Sequence, residues 1–457
     1  MTQAPEQLPG SFRDPAGFMF RQNGLLYRQV NKTFEEAFNR FEDSGASRDF
    51  IEKGWLIPYR RITENLTGDA NAAFFLQPEE LSFITYPYEW SFDMLRDAAL
   101  LTLQLAEAAA GKDLQLKDAT PYNIQWKNGK PVFIDTLSFE PLRAGPWIAY
   151  RQFCESFLAP LLIMHYQKQH LPQLFKAWPD GIPVTTASRM LPRRSYLSIH
   201  IYLHIHLQAR LSKKTTGHEN ARGSFGKDKL LRIFLSLKTL LQSLKSPGSP
   251  TEWAGYYHEA QQRGGYLAAK ETLVKEWLRE MPELKRVLDL GANEGLFTHI
   301  AAGNNCEVMA ADIDPECINR LYLQGKKQSG SLVLPLVQDL AWPSPAMGAN
   351  NQERTSFADR ARADLVLALA LIHHLVLQKK MSFEMTARML QPMAPHLLIE
   401  FVPAEDEKAA LLLQRIEGLK PVYTQEAFEN GFQNMYTIRK KSTIAGSSRT
   451  LYWLTRK

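Results

Sequence analysis

The chain has 457 residues, 45% of them hydrophobic and 22% charged, with a net charge of +6, which describes a globular protein of about two domains and excludes a disordered or fibrous one. No apolar run reaches the roughly 18 residues that a bilayer span needs, and the opening MTQAPEQLPGSF has no basic-then-apolar leader pattern. Three cysteines, Cys154, Cys306 and Cys317, make no CxxC pair or other metal-ligand spacing, so a cytoplasmic, reduced protein without disulfide or metal is expected.

Residues 1–16 are polar and rich in Pro and Gly, which predicts a loose arm. From Gly17 to Val30 two short strands flank Gln22-Asn23-Gly24, a good hairpin turn. Thr33 is the expected cap of a helix running to about Phe41. Strand-like runs follow at Trp55–Tyr59 and Leu81–Tyr86, and Ser91 is placed to cap a long apolar helix through about Ala110.

The stretch LKDATPYNIQWKNGKPVFIDTLSFE sets Asn123 five residues after Asp118. A hairpin through Asn128-Gly129 then leads to a strand that delivers Asp135. This arrangement resembles protein kinases and aminoglycoside-type phosphotransferases. In those enzymes a catalytic-loop Asp faces the acceptor hydroxyl, while an Asn and a second Asp meet on a metal bridging the phosphates. The elements before it, hairpin, helix, two strands and long helix, fall in the order the resemblance implies. The match departs at Leu116, where a histidine is usual, and it lacks a glycine-rich phosphate loop. Arg28 is the nearest candidate for the phosphate-binding lysine. Residues 17–246 are therefore expected to form a degenerate kinase-like α+β domain with a helical second half. Asp118, Asn123 and Asp135 stand as an alternative phosphotransfer site.

Within the helical part, His200 and His204 lie at i, i+4 with His206 close by. No neighbouring base or carboxylate supports a metal, and packed, hydrogen-bonded histidines are expected. Between Arg210 and Ser246 nine Lys/Arg face two acids, a surplus of seven, so the rest of the chain is nearly neutral. Leu230, Phe234, Leu237, Leu241 and Leu244 form an apolar stripe beside Lys229, Arg232, Lys238 and Lys245. Such a helix docks on the body of the protein or lies on an anionic membrane, and the basic segment 210–246 is also a candidate nucleic-acid contact.

Pro247-Gly248-Ser249-Pro250 is the expected domain boundary. Beyond it, VLDLGANEGLF (Val287 to Phe297) reads as a buried strand, a glycine-containing turn and a helix. Gly291 and Gly295 permit unusual backbone angles there. The stretch resembles the first motif of the class I S-adenosylmethionine (SAM) methyltransferases, with Asn293 in place of the middle glycine. Later strands end on acids or functional loops in the same order. Asp312 stands where a carboxylate meets ribose hydroxyls, and Asp339 resembles the acceptor of the adenine amino group. The strand Asp364–Leu369 runs into Ala370-Leu371-Ile372-His373-His374-Leu375, and the strand Leu397–Phe401 carries Glu400. Met435–Lys441 and Arg449–Leu454 read as the closing antiparallel pair. Asp314 is expected to cap a helix and not to bind ligand. A dinucleotide oxidoreductase is disfavoured because GxGxxG is absent.

The resemblance implies a doubly wound, Rossmann-like, mostly parallel seven-stranded sheet over residues 250–457. SAM is the expected cofactor, bound by Asp289, Gly291, Asn293, Gly295, Asp312 and Asp339. His373 or His374 is the expected base, one facing the methyl group and the other packing. Tyr257, Trp342, Glu353, Arg354 and Glu400 are candidates for an acceptor pocket or lid, the middle three from a long insertion between Asp339 and Asp364. Two competing readings make the second half a regulator of an active kinase, or make both halves binding modules.

Overall fold

The computed structural model describes residues 4–212, 226–248, 265–328, 330–414 and 422–457. The chain divides into two compact units. One takes the residues up to Ser249 together with Ala346–Arg354, and the other takes Pro250–Pro345 and Thr355–Lys457. The boundary falls within the Pro-Gly-Ser-Pro stretch. Part of the long insertion is counted with the first unit, which sequence order did not suggest.

The first unit begins with an antiparallel sheet of five strands in the order β1-β2-β3-β5-β4. These are β1 (Glu6–Gln7), β2 (Gly17–Gln22), β3 (Leu25–Asn31), β4 (Tyr59–Ile62) and β5 (Ala72–Pro78). The β2–β3 turn holds Asn23 and Gly24 at φ of 52° and 78°, the left-handed pair that a two-residue hairpin requires. Two expectations are corrected at the amino end. Residues 6–7 pair with Phe20 and Arg21 of β2, so the start is not a loose arm. The first helix is Lys32–Asp43, flanked by Asn31 and not capped by Thr33. Its Phe34, Phe38 and Phe41 enter an aromatic core, where Phe41 stacks on Phe139 with centroids 4.5 Å apart.

The expected strands at Trp55–Tyr59 and Leu81–Tyr86 are displaced to β4 and β5. Apolar content misled here: β4 (YRRI) buries none of its residues, as a sheet edge permits, and β3 supplies the pairing that fixes β5. The helix Phe92–Gly111 starts after Ser91 as expected, but the Ser91 side chain makes no capping bond. That helix is buried on most of its circumference, as a central helix of a domain should be. It leads to β6 (Leu114–Leu116), the hairpin β7 (Ile124–Lys127) and β8 (Lys130–Phe133), and β9 (Phe139–Pro141).

Helices fill the remainder of this unit, and Phe157–Met164 is core as expected. The histidines are packed and bonded. His206 meets Ser188 and Ser195, both at 2.8 Å, and His204 meets Tyr150 at 2.7 Å and Ser236 at 2.8 Å. No metal-binding group of His, Cys, Asp and Glu exists among the described residues. The helix Lys227–Ser243 packs on Phe92–Gly111 and buries Leu230, Phe234, Leu237, Leu240 and Leu241. The apolar stripe is thus used inside the unit. The polar stretch beyond Ser212 lies largely outside the described residues.

The second unit is a seven-stranded sheet in the order β12-β11-β10-β13-β14-β16-β15. Its strands are β10 (Arg286–Leu290), β11 (Glu307–Asp312), β12 (Val333–Val337), β13 (Leu365–Ala368), β14 (His396–Phe401), β15 (Tyr436–Thr443) and β16 (Thr450–Arg456). The first five are parallel to one another, and β16 pairs antiparallel with both β14 and β15. The parallel strands are buried on both faces, which is why they read as apolar runs. The order reverses at β10 and β13, so the crevice beyond their carboxyl ends is where such a sheet binds ligand. No described helix is long and apolar enough to cross a membrane.

Candidate active site

The turn after β10 takes the backbone the glycines were expected to allow. Gly291, Asn293 and Gly295 have φ of 78°, 51° and 87°. At Gly295 a Cβ would also come 2.5 Å from a Leu321 methyl, which would have to shift, so both angle and space favour glycine there. Asn293 reaches the left-handed region at modest cost, as Asn does more readily than other side chains.

A cleft opens over this turn, with an empty volume of about 1300 Å³, open solvent included. Asp289, Gly291, Asn293, Asp312, Asp339, His373 and His374 all line it, seven of the eight expected cofactor and base residues. Gly295 instead begins the helix Leu296–Ala302 behind the turn. The Asp312 carboxylate is fixed by two backbone N–H donors, Asn293 and Asp314, each at 2.8 Å. Each oxygen keeps a lone pair for a ligand hydroxyl. Burial pushes Asp312 up to about 6 even against those bonds. Burial likewise pushes Asp289 up to about 6, although the Thr298 hydroxyl donates to it at 2.6 Å. Asp314 caps the helix Pro315–Lys326, accepting from Glu316 and Cys317, as expected.

Asp339 is not isolated. Lys379 Nζ lies 3.0 Å from its Oδ2, and Ala341 N–H donates to its Oδ1 at 2.9 Å. Opposite, Ala370 holds φ at 52°, a strained angle for alanine at the cleft wall. The loop then enters a π-helical turn, His374–Gln378, a distortion frequent at functional sites. His373 and His374 stand side by side with ring centroids 4.0 Å apart. Both line the cleft, so the expectation that one would pack elsewhere is corrected. Burial holds His373 well below the ordinary imidazole range and His374 at about 4, so both are neutral at pH 7. His373 Nδ1 is buried without a hydrogen-bond partner among the described residues.

The acceptor candidates fare differently. Glu400 is fully buried behind the cleft wall. It receives the Tyr266 hydroxyl at 2.5 Å, Lys270, and Arg449 Nη1 at 3.3 Å. Burial raises its carboxyl, but the two cations outweigh that and hold it below the ordinary range. It is a structural anchor and not a free acid. Trp342 is 77% exposed and does not line the cleft. Glu353 and Arg354 belong to the first unit, where Glu353 pairs with Arg13 at 2.7 Å and Arg354 lies 3.8 Å over the Tyr122 ring. Tyr257 lies outside the described residues. The sequence reading missed Lys270 and Lys379 as lining residues, because nothing in their local pattern points to carboxylates 130 and 40 residues away.

In the first unit the two phosphotransfer-like aspartates are occupied internally. Arg28 Nη1 lies 2.5 Å from Asp135 Oδ1, and its Nη2 lies 2.8 Å from Asp14. Asp135 also accepts from the Ser138 hydroxyl and from Leu137 N–H. Asp118 is held by Gln152 at 2.5 Å, and burial with the nearby Asp135 raises its pKa. Asn123 bonds Ile134 N–H through its backbone carbonyl at 2.8 Å.

The residues present fit SAM. A left-handed glycine turn gives close backbone approach, fixed carboxylates end successive strands, and an unpartnered imidazole nitrogen borders the same cleft. A family model described as a methyltransferase domain matches residues 258–440. The nodulation protein NoeA of Rhizobium meliloti (strain 1021) is 32% identical over 460 residues, covering 98% of this chain and 96% of that one. Among solved structures the chain is similar to the N-methyltransferase NodS from Bradyrhizobium japonicum WM9, at 15% identity and a TM-score of 0.32, over 42% of this chain and 97% of that one. It is also similar to the bifunctional kinase-methyltransferase WbdD, at 14% identity and a TM-score of 0.32, over 48% of this chain and 46% of that one. On its full-length likeness to NoeA and the match of its second half, the chain belongs to the NoeA family and is an enzyme, a SAM-dependent methyltransferase.

Proposed function

We propose that Asp289, Gly291, Asn293, Gly295, Asp312 and Asp339 seat SAM, and that His373 or His374 takes the proton from a methyl acceptor that enters beside them. The observation that carries this reading is Asp312, a buried carboxylate fixed by two backbone donors at the lip of the cleft. When bound, SAM supplies a methyl group already activated on a sulfonium. The protein's share is then alignment and the exclusion of water. Asp312 would receive the ribose hydroxyls and Asp339 the adenine amino group. The glycine turn would pass beneath the methionine portion. A neutral imidazole at pH 7 is in the protonation state that a general base needs, which supports the assignment of the histidines. Tyr266 and Lys270, tied to Glu400, would hold the wall against which the acceptor lies.

The first unit, in this reading, shapes or recruits the acceptor and transfers no phosphate. The guanidinium of Arg28 stands against Asp135 where a phosphotransferase would need a metal ion. The likeness to NoeA runs over both halves, so the first unit is part of what the two proteins share. Replacing Asp135 by Asn should leave SAM affinity in calorimetry unchanged. Metal-dependent ATP turnover by the full chain, lost in that variant, would overturn the reading and favour a kinase.

A further inference from the structure

The segment Arg193–Arg210 buries two histidines and leaves several large apolar side chains in solvent. Histidines normally favour the wet side of a surface helix, yet His204 and His206 are each only 3% exposed and are bonded to Tyr150, Ser236, Ser188 and Ser195. Ile201, Ile205 and Ala209 of the same segment are buried as well, so the inward face is full and further apolar side chains are left on the solvent side. Leu197 is 89% exposed, Ile199 62% and Leu203 41%, the last two one helical turn apart. Ser236, which both His200 and His204 contact, sits next to Leu235, itself 63% exposed. Scattered exposed leucines are ordinary, but Leu197, Ile199 and Leu203 fall within seven residues of one segment, with inward positions there given to histidines.

The charge around this run is one-sided. No Asp or Glu occurs between Asp180 and Glu219, a span that holds Arg189, Arg193, Arg194 and Arg210. Arg193 and Arg210 are exposed and have no acidic partner among the described residues. Apolar side chains flanked by unpaired arginines match the boundary of an anionic bilayer, where methyl groups enter the acyl region and guanidinium groups meet phosphates. We propose that Arg193–Arg210 is the face by which this protein rests on an anionic lipid surface. The face is distinct from the basic helix Lys227–Ser243, whose own apolar stripe is consumed inside the unit.

The test is co-sedimentation of the full chain with vesicles of phosphatidylcholine, alone or with about one-third phosphatidylglycerol. Binding to the mixed vesicles at low salt is expected, with little to phosphatidylcholine alone. It should weaken as salt shortens the range of the attraction. Two variants change only exposed side chains, L197S/I199S and R193Q/R210Q. Each should reduce binding by at least about tenfold while leaving the melting temperature and SAM affinity as in the wild type. No binding by the wild type, or binding at the wild-type level by either variant, overturns the proposal. Self-association that L197S/I199S abolishes while vesicle binding is absent would assign the face to a second copy. RNA binding lost only in R193Q/R210Q, again without vesicle binding, would also overturn it.

Discussion

The Arg28 guanidinium bridges Asp135 and Asp14, at 2.5 and 2.8 Å, from the middle of β3. The Arg28–Asp135 arm is largely removed from solvent, with 13% of the Arg28 side chain and 15% of that of Asp135 exposed, while Asp14 is 27% exposed. A buried carboxylate left without its cation costs more than the pair itself contributes. Arg28→Ala should therefore destabilise the protein by about 2 kcal/mol at pH 7. Burial pushes the Asp135 carboxyl up, but Arg28, Ser138 and Leu137 N–H outweigh burial and hold it below the ordinary range. Its stabilising contribution is thus present above the unfolded value and lost as pH falls through the lower folded one. Denaturant melts should show the Arg28→Ala penalty shrinking in acid. A penalty independent of pH would mean that the side chain acts by packing alone.

With that pair intact, magnesium or manganese with ATP should not raise the melting temperature of the full chain. A ligand present at a hundred times its dissociation constant adds about 2.7 kcal/mol, which a thermal scan registers easily. A clear upward shift would show that the metal displaces Arg28.

Asp289 and Asp312 carry the pH dependence of the cofactor site. Both carboxyls are pushed up to about 6 by burial. For an acid whose folded pKa is raised, the folded state holds the proton longer. Stability should therefore fall as pH rises from about 4 through 6, then level off. SAM affinity should run the other way, because hydroxyl donors need the ionised Asp312. Calorimetry should find binding weakening as pH drops below about 6. Asp312→Ala should weaken it by roughly 1.5–3 kcal/mol at pH 7.5, the scale of hydrogen bonds to a charged group. Equal affinity in variant and wild type would remove Asp312 from the site.

The parallel strands were legible because burial on both faces makes them short apolar runs, and Asp289, Asp312 and Asp339 sit at or just past the carboxyl ends of such runs. The turn VLDLGANEGLF was legible for a related reason, since few residues besides Gly and Asn hold its three left-handed angles. Pairings across distance were not legible. Arg28 meets Asp135 from 107 residues away, and Tyr266 meets Glu400 from 134, with no periodicity to announce either. β4 and β5 were misplaced for the same reason: an edge strand such as YRRI takes its identity from a partner and not from its own hydrophobicity. The insertion after Asp339 looked like a lid from its length, yet its residues Ala346–Arg354 count with the first unit.

The paired histidines invite a split between binding and turnover. His374 is held at about 4 by burial, and burial holds His373 well below the ordinary imidazole range. If one of them is the base, His373→Ala or His374→Ala should lower kcat by roughly 10²–10⁴-fold with SAM affinity unchanged. Because both are already neutral, the rate should not show a limb near pH 6.5 from a free imidazole. Both variants turning over at the wild-type rate would leave alignment alone as the protein's contribution.

Asp339 and Lys379 set the last expectation. Their ion pair is partly open to solvent, with side chains 26% and 30% exposed, so it adds little to stability. Its placement matters more. Lys379 approaches Oδ2, while Oδ1 accepts from Ala341 N–H, so an adenine amino group must share an oxygen that is already bonded. A carboxylate oxygen can accept twice, so sharing needs no displacement. Lys379→Met should then change the SAM dissociation constant by no more than about threefold, whereas Asp339→Ala should raise it ten- to a hundredfold, about 1.4–2.7 kcal/mol. Asp339→Asn keeps an acceptor for the amino group and loses only the charge that Lys379 answers, so its affinity should stay near wild type. If Asp339→Ala binds SAM normally while Lys379→Met does not, the lysine, and not the aspartate, faces the adenine.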